Sequence, residues 1–266
     1  RDHLLQRSSP DRYALHDLVR TYANARAVDE DPQPARHAAL TRLFDYYLAT
    51  TAAAVDSRYR NIARLGLRIP QPRTPIPDLA DAQSALAWLD VERPTLVAVA
   101  EHTATRGWPT HTVRLAQLLF RYLIGGHPTE GLAVHGYARD TAERIGDVLG
   151  QVHALNGLGT TCIQLGRFTR AVEHLEQALL LCERVTDPRG EARTLTNLAI
   201  VEMRLGRYRP VLEHLQRAIA LDQQIGDEAG MASSMLNLGV VEMRLGRYDA
   251  STKHIEEVRT RIRNKG

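Results

Sequence analysis

Residues 197–208 read Asn197-Leu198-Ala199-Ile200-Val201-Glu202-Met203-Arg204-Leu205-Gly206-Arg207-Tyr208. Residues 237–248 read Asn237-Leu238-Gly239-Val240-Val241-Glu242-Met243-Arg244-Leu245-Gly246-Arg247-Tyr248. Ten of the twelve positions agree, and the differences, Ala199/Gly239 and Ile200/Val240, are conservative. The ending also occurs one period earlier, as Leu165-Gly166-Arg167-Phe168, so the period is 40. A second marker keeps the same register: Gly146-Asp147, Thr186-Asp187 and Gly226-Asp227. Repetition at such a period marks a stack of units, each burying its apolar face against its neighbours.

Each period predicts two helices. Val152, Leu155, Leu158, Cys162 and Leu165 lie on one helical stripe, and Phe168, Ala171, Val172, Leu175, Ala178 and Leu179 lie on a second. Gly166 is placed to end the first helix, because glycine takes the left-handed C-terminal conformation with least strain. Asp147, Asp187 and Asp227 are placed to cap the next one, and Pro188 suits a first helical residue. Gly159, Ala199 and Gly239 are small where two helices should meet. One register earlier the pattern fades. Leu115, Leu118, Leu119 and Leu123 make a stripe, Gly125-Gly126 a stop, and 129–145 a second helix. Before that, Ser84–Asp90 and Pro94–Thr105 read as a helix pair, with Pro94 opening the second member.

The repeats resemble the tetratricopeptide repeat. Asn197-Leu198-Ala199, Gly206, Tyr208 and Ala218 carry the likeness, as do Asn237-Leu238-Gly239, Gly246 and Tyr248, and Leu158-Gly159, Gly166, Phe168, Ala171 and Ala178. The usual period is about 34. The additional residues here lengthen the helices, the usual Pro after the second helix is missing, and Glu202 and Glu242 replace a common aromatic. The fold implied is all-α: a right-handed α-solenoid of helix pairs with a small winged-helix remnant at the N-terminus.

The first hundred residues differ. Ala38, Leu40, Leu43, Phe44, Tyr47 and Leu48 give residues 35–58 a helical period, whereas 59–80 carries Pro70, Pro72, Pro75 and Pro77 and reads as an extended link. Its Arg60, Arg64, Arg68 and Arg73 read as solvated. Residues 12–15 read as a short strand, and a helix follows with Leu18, Val19 and Tyr22 on its apolar side. Strand-to-helix with Asp17 at the helix start is consistent with the end of a winged-helix module. The expected division is 1–30, winged-helix end; 31–58, connecting helix; 59–80, link; 81–148, degenerate repeats; 149–266, three tetratricopeptide-like repeats.

Tyr13-Ala14-Leu15-His16-Asp17-Leu18-Val19-Arg20-Thr21-Tyr22-Ala23 resembles the end of the nucleotide-binding module of STAND-type signalling ATPases, the NB-ARC group. Leu15-His16-Asp17 stands where that group has a Met-His-Asp-like tripeptide. The resemblance implies that His16 contacts the β-phosphate of ADP in the full-length protein. The order of segments, with Ala85-Leu86-Ala87-Trp88-Leu89-Asp90-Val91-Glu92-Arg93-Pro94 between link and repeats, is similar to the C-terminal half of SARP-type actinobacterial regulators of antibiotic biosynthesis. That implies a non-catalytic sensor and autoinhibitory arm of a regulator of secondary metabolism. The alternative is a stand-alone receptor for a peptide or protein. Arg1 begins the chain without Met, which suggests a piece of a longer protein.

Composition narrows the chemistry. The chain has 266 residues, with 34 Lys+Arg against 31 Asp+Glu, for a net charge of +3. That balance is a weak argument for nucleic-acid binding, and none by this chain is expected. Two cysteines, Cys162 and Cys182, exclude a disulfide scaffold and a four-cysteine zinc site, and suggest a reduced, cytoplasmic protein. No Gly-x-x-x-x-Gly-Lys-Ser/Thr occurs, so ADP or ATP is expected only with a nucleotide-binding domain that this chain lacks. No nucleophile elbow or His-Glu-x-x-His zinc motif is present, so no enzyme is expected. His174, His214 and His254 recur at period 40, but stacked helices sit ~10 Å apart, too far to share a metal whose bonds are ~2 Å. No metal and no membrane contact are expected.

Partner binding is assigned to the concave face, lined by the first helix of each repeat. Register places Asn156, Thr160 and Gln164 there, then Arg193, Thr196, Asn197, Ile200, Met203 and Arg204, then Ser233, Leu236, Asn237, Val240, Met243 and Arg244. The Asn amides suit a peptide backbone and Arg204 and Arg244 suit carboxylates. In the competing reading the Asn residues bond only neighbouring backbone, and the two Arg pair with Glu202 and Glu242. The partner implied is a protein or peptide, including the parent's own ATPase module, and a homodimer through the C-terminal repeat is expected.

Overall fold

The computed structural model describes residues 5–9, 12–59 and 66–263. A hairpin of β1 (Leu5–Ser9) and β2 (Arg12–Leu15) leads into α1 (Asp17–Glu30). The strands pair antiparallel, Leu5 opposite Leu15 and Arg7 opposite Tyr13. Then come α2 (Gln33–Tyr59), α3 (Ala82–Arg106), α4 (Pro109–Leu123), α5 (Pro128–Ile145), α6 (Val148–Gln164) and α7 (Phe168–Val185). The last four are α8 (Pro188–Arg204), α9 (Tyr208–Ile225), α10 (Glu228–Arg244) and α11 (Tyr248–Arg263). The chain is an all-helical solenoid behind one small hairpin.

The period of 40 becomes a helix of 17 residues, a turn, a helix of 18 and a turn. The tight turns work as the glycines suggest. Gly166, Gly206 and Gly246 take φ near +70°, and the following amides reach back to the carbonyls of Cys162, Glu202 and Glu242. At the other turn Asp147, Asp187 and Asp227 cap α6, α8 and α10, each Oδ1 accepting from the amide of Gly150, Gly190 or Gly230 at 2.8–3.1 Å. Each interface repeats one recipe. Leu175 is buried against Leu198 and Val201, and Leu215 against Leu238 and Val241. Fully burying such a side chain contributes roughly 1.5–3 kcal/mol. Where α6 meets α7, a Cβ at Gly159 would fall 2.6 Å from Leu175 Cγ, which explains the small residue there.

The N-terminal half of the solenoid is one larger core. Phe44 and Leu48 of α2, Leu89 and Leu96 of α3, and Leu115, Leu119 and Tyr122 of α4 pack together. Trp108 joins them and its Nε1 donates to Thr41 Oγ1 at 2.8 Å. Residues 81–106 correct the expected helix pair. Ala82–Arg106 is one helix with Pro94 inside it. Proline removes one backbone donor, so the Asp90 carbonyl lacks its usual helical donor four residues on. Both residues are exposed, so water can satisfy that carbonyl, while Leu89, Leu96, Val99 and Ala100 hold the opposite face in the core.

Residues 66–81 are non-helical, as the prolines predict, yet they are pinned to the core. Leu79 is buried, Leu67 and Ile69 pack against the core, and Ser57 Oγ donates to the Ala80 carbonyl at 3.0 Å. Arg68 and Arg73 are exposed, whereas Arg60 and Arg64 lie outside the described residues. At the other end Arg259 is exposed and Arg261 pairs with Glu228 and Glu257; the side chain of Arg263 lies outside the described residues.

Candidate functional site

The inner helices α6, α8 and α10 present the concave residues, but half of these are engaged with one another. Asn156 is 1% exposed. Its amide donates to the Val152 carbonyl at 3.0 Å and Thr194 Oγ1 at 2.8 Å, and its carbonyl accepts from Asn197 at 2.8 Å. It therefore joins two repeats and offers no free group to a partner. Thr160 donates to the Asn156 carbonyl, and Gln164 reaches the Ile124 carbonyl one repeat back. Thr196 and Ser234 share a bond of 2.9 Å. Met203 is half-buried against Val211 and Leu215 and belongs to the core.

The other concave residues are open. Leu236, Val240 and Met243 line α10 as an exposed apolar stripe beside half-buried Asn237. Arg204 and Arg244 are exposed and pair with no carboxylate among the described residues. The competing assignment of these Arg to Glu202 and Glu242 is corrected. Glu202 pairs with His214 at 3.0 Å and Glu242 with His254 at 3.4 Å, across each helix pair. His214 thus bonds across its own repeat, and His254 stands near Glu242 in the same arrangement. His174 has no such partner, because Cys162 occupies the equivalent of Glu202. Burial raises both thiols, Cys182 to about 12, so neither is a reactive nucleophile.

Arg193 lies where His153 and Ser233 stand in the flanking repeats. Its Nη1 donates to His153 Nδ1 at 2.9 Å, and burial lowers the Arg193 pKa. Burial and the guanidinium push His153 down to about 3, so the ring is neutral and accepts. A groove of about 460 Å³ runs from Phe120 and Ile124 past Thr160, Arg193 and Asn197 to Asp222, Asp227 and Ser233. The sequence reading missed Asp222. Its counterparts are Ala142 and Cys182, so a carboxylate has replaced a small buried side chain. That break in the period was the available signal.

His16 sits at the N-terminus of α1, exposed, with Nδ1 accepting from the Leu18 amide at 3.3 Å. Asp17 pairs with Arg20 at 2.8 Å. No residue of α1 is buried, and Tyr13, Leu15, Leu18 and Tyr22 are exposed. Among the described residues, no group of three His, Cys, Asp or Glu is placed to hold a metal, and no helix is long and apolar enough to cross a membrane.

Helix pairs in this register can be compared directly with known repeats. The tetratricopeptide repeat family matches at residues 150–224 and again at 231–264. Those matches fall on α6–α9 and on α10–α11. Regulatory protein AfsR of Streptomyces griseus is 34% identical over 187 residues, which cover 66% of this chain and 18% of that protein. Regulatory protein AfsR of Streptomyces coelicolor is 39% identical over 105 residues, 38% of this chain and 10% of that protein. The match spans less than a fifth of these curated relatives. BtubC (BKLC) from P. vanneervenii superposes with a TM-score of 0.54 at 18% identity, over 82% of this chain and 90% of that one. That likeness concerns the fold alone. The helix pairs of this chain are thus similar to tetratricopeptide repeats and to a segment of the AfsR regulatory proteins, and have the character of a protein-interaction region.

Proposed function

We propose that the chain is the non-catalytic sensor and autoinhibitory arm of a STAND-type regulator of secondary metabolism. The carrying observation is the pairing of this array's similarity to AfsR with an α1 that buries nothing. Tyr13, Leu15, Leu18 and Tyr22 are exposed side chains suited to cover by a neighbouring module, and the β1–β2 hairpin followed by α1 suits the end of a winged helix. The parent's ATPase module, the source of any ADP or ATP, is the proposed occupant. His16 fits the sensing role. With Nδ1 accepting from Leu18, the proton sits on Nε2, which faces outward as a donor suited to a phosphate.

The arm acts through its concave face in this reading. The Leu236–Val240–Met243 stripe flanked by Arg204 and Arg244 is the partner surface, and its occupation shifts the balance between closed and open states. Such a shift requires different affinities for the two states. The setting is cytoplasmic. A homodimer through the C-terminal repeat is a further part of the proposal, and static light scattering that shows only monomer at high concentration rejects it. The test of the whole is a binding titration of the arm against the nucleotide-binding module of an AfsR-type parent. Arg204→Glu with Arg244→Glu should weaken binding at least about tenfold. Unchanged affinity rejects the concave-face mechanism.

A further inference from the structure

The groove between α4 and α10 holds separated opposite charges. Asp222 is 4% exposed and makes no side-chain hydrogen bond among the described residues. It lies against bare Gly230, where a Cβ would fall 2.7 Å from Oδ1. Asp227 stands beside it, with Oδ1 already accepting from the Gly230 amide. Arg193 approaches from α8, bonded to neutral His153 through one donor, and forms no ion pair with either carboxylate. Its four other N–H donors remain for a ligand. Phe120, Ile124 and Ile200 give the same groove an apolar wall, and Arg121 and Arg189 line it as well.

Nothing in the repeat requires this arrangement. Ala142 and Cys182 fill the position of Asp222 elsewhere, and His153 and Ser233 fill that of Arg193. Burying a carboxylate is costly, and desolvation together with Asp227 raises Asp222 to about 7 against the opposing pull of Arg193 and Arg189. A ligand bearing both signs relieves both groups at once. At about 460 Å³ the groove is within the usual size range for small-molecule sites, roughly 300–1,000 Å³.

We infer that this groove is a binding site for a small zwitterion of the α-amino-acid class with an apolar side chain: its ammonium on Asp222, its carboxylate on Arg193, its side chain toward Phe120, Ile124 and Ile200. Thr160 and Asn197 also line the groove and supply further polar contacts. This goes beyond the protein-binding reading and does not depend on it, because Arg204 and Arg244 do not line the groove.

The test is calorimetric titration of the whole chain with L-leucine, N-acetyl-L-leucine and L-leucinamide, repeated with L-isoleucine and L-phenylalanine. The expected result is saturable binding of the free amino acids and at least about tenfold weaker binding of each blocked leucine. Asp222→Ala, which installs the residue of an earlier repeat and should fold, is expected to bind L-leucine and N-acetyl-L-leucine alike. Arg193→Gln is expected to bind L-leucine and L-leucinamide alike, with circular dichroism as the check on folding for both. The inference is overturned if none of the three amino acids binds at up to about 10 mM. It is also overturned if both folded variants discriminate among the leucine ligands as the parent chain does.

Discussion

The imidazole of His135 occupies the space that a side chain at Gly157 would need. A Cβ there would fall 2.5 Å from the ring's Cγ and 2.6 Å from Cδ2 and Nδ1. This contact seats α5 on α6, with His135 wholly buried beside Phe120. Gly157→Ala should destabilise the chain by about 1–3 kcal/mol through overpacking. Gly136→Ala, on α5 with nothing near its Cβ, should be neutral or stabilising by up to about 1 kcal/mol. Urea midpoints of the two variants check this, and equal effects would contradict the packing account.

Acid should loosen the same interface. Burial holds His135 at about 4, and burial with Arg193 holds His153 at about 3. In the unfolded chain both protonate near 6.5. Each imidazole is thus neutral in the fold where it would be charged unfolded. Their stabilisation is complete above pH 6.5 and is lost as pH falls toward 4. The loss for each is up to about 2 kcal/mol by pH 5. His135→Leu should flatten the decline of the urea midpoint between pH 7 and pH 5. A slope unchanged from the parent chain counts against this assignment.

Thr186 is the one described non-glycine residue with positive φ, at 53°. Gly146 and Gly226 hold the equivalent turns at 70° and 69°. A β-branched residue is strained in the left-handed region by roughly 1–2 kcal/mol. Thr186→Gly should therefore raise the thermal midpoint, with a gain of about 1 kcal/mol after glycine's entropic penalty. A lower midpoint would show that Thr186 has a role beyond the turn.

Tyr122 ties α4 to the segment of α3 around Pro94. Its hydroxyl donates to Asp90 at 2.7 Å and accepts from Arg93 at 3.1 Å, and Arg93 also reaches Glu130 at 3.0 Å. Burial and the Asp90 bond raise the Tyr122 pKa, so the phenol remains a donor at neutral pH. Tyr122→Phe should cost about 1–2 kcal/mol. Asp90→Asn in the same background should then cost little more, because the two share one interaction. Fully additive losses in a double-mutant cycle would separate them.

The architecture was legible because period, caps and turn glycines agree at separate positions. Gly206 with its left-handed φ and Asp187 with its capping bond each do what their residue types predict. The misreadings have local causes. Pro94 reads as a helix start, but an exposed proline is tolerated within a long helix whose other face is buried. Arg204 and Glu202 are close in sequence, yet at i and i+2 they point to different sides of α8, and the partner of Glu202 is twelve residues away on α9. Asn156 reads as a surface amide, and only the stack shows that Thr194 and Asn197 enclose it. Asp222 gives no signal in the sequence beyond the break in period, and its burial against Gly230 of the next repeat is visible only in the stack.

The side-chain bonds between successive inner helices also diminish along the stack. Helix α6 is joined to α8 through Asn156–Thr194, Asn156–Asn197 and His153–Arg193, whereas α8 is joined to α10 through Thr196–Ser234. A stack held by nearest-neighbour contacts opens where those contacts are weakest. Amide hydrogens of α10 and α11 should therefore exchange with solvent sooner than those of α6 and α7. The array has a preferred end from which to unzip, and a partner bound on the α10 stripe would slow that unzipping in proportion to its affinity.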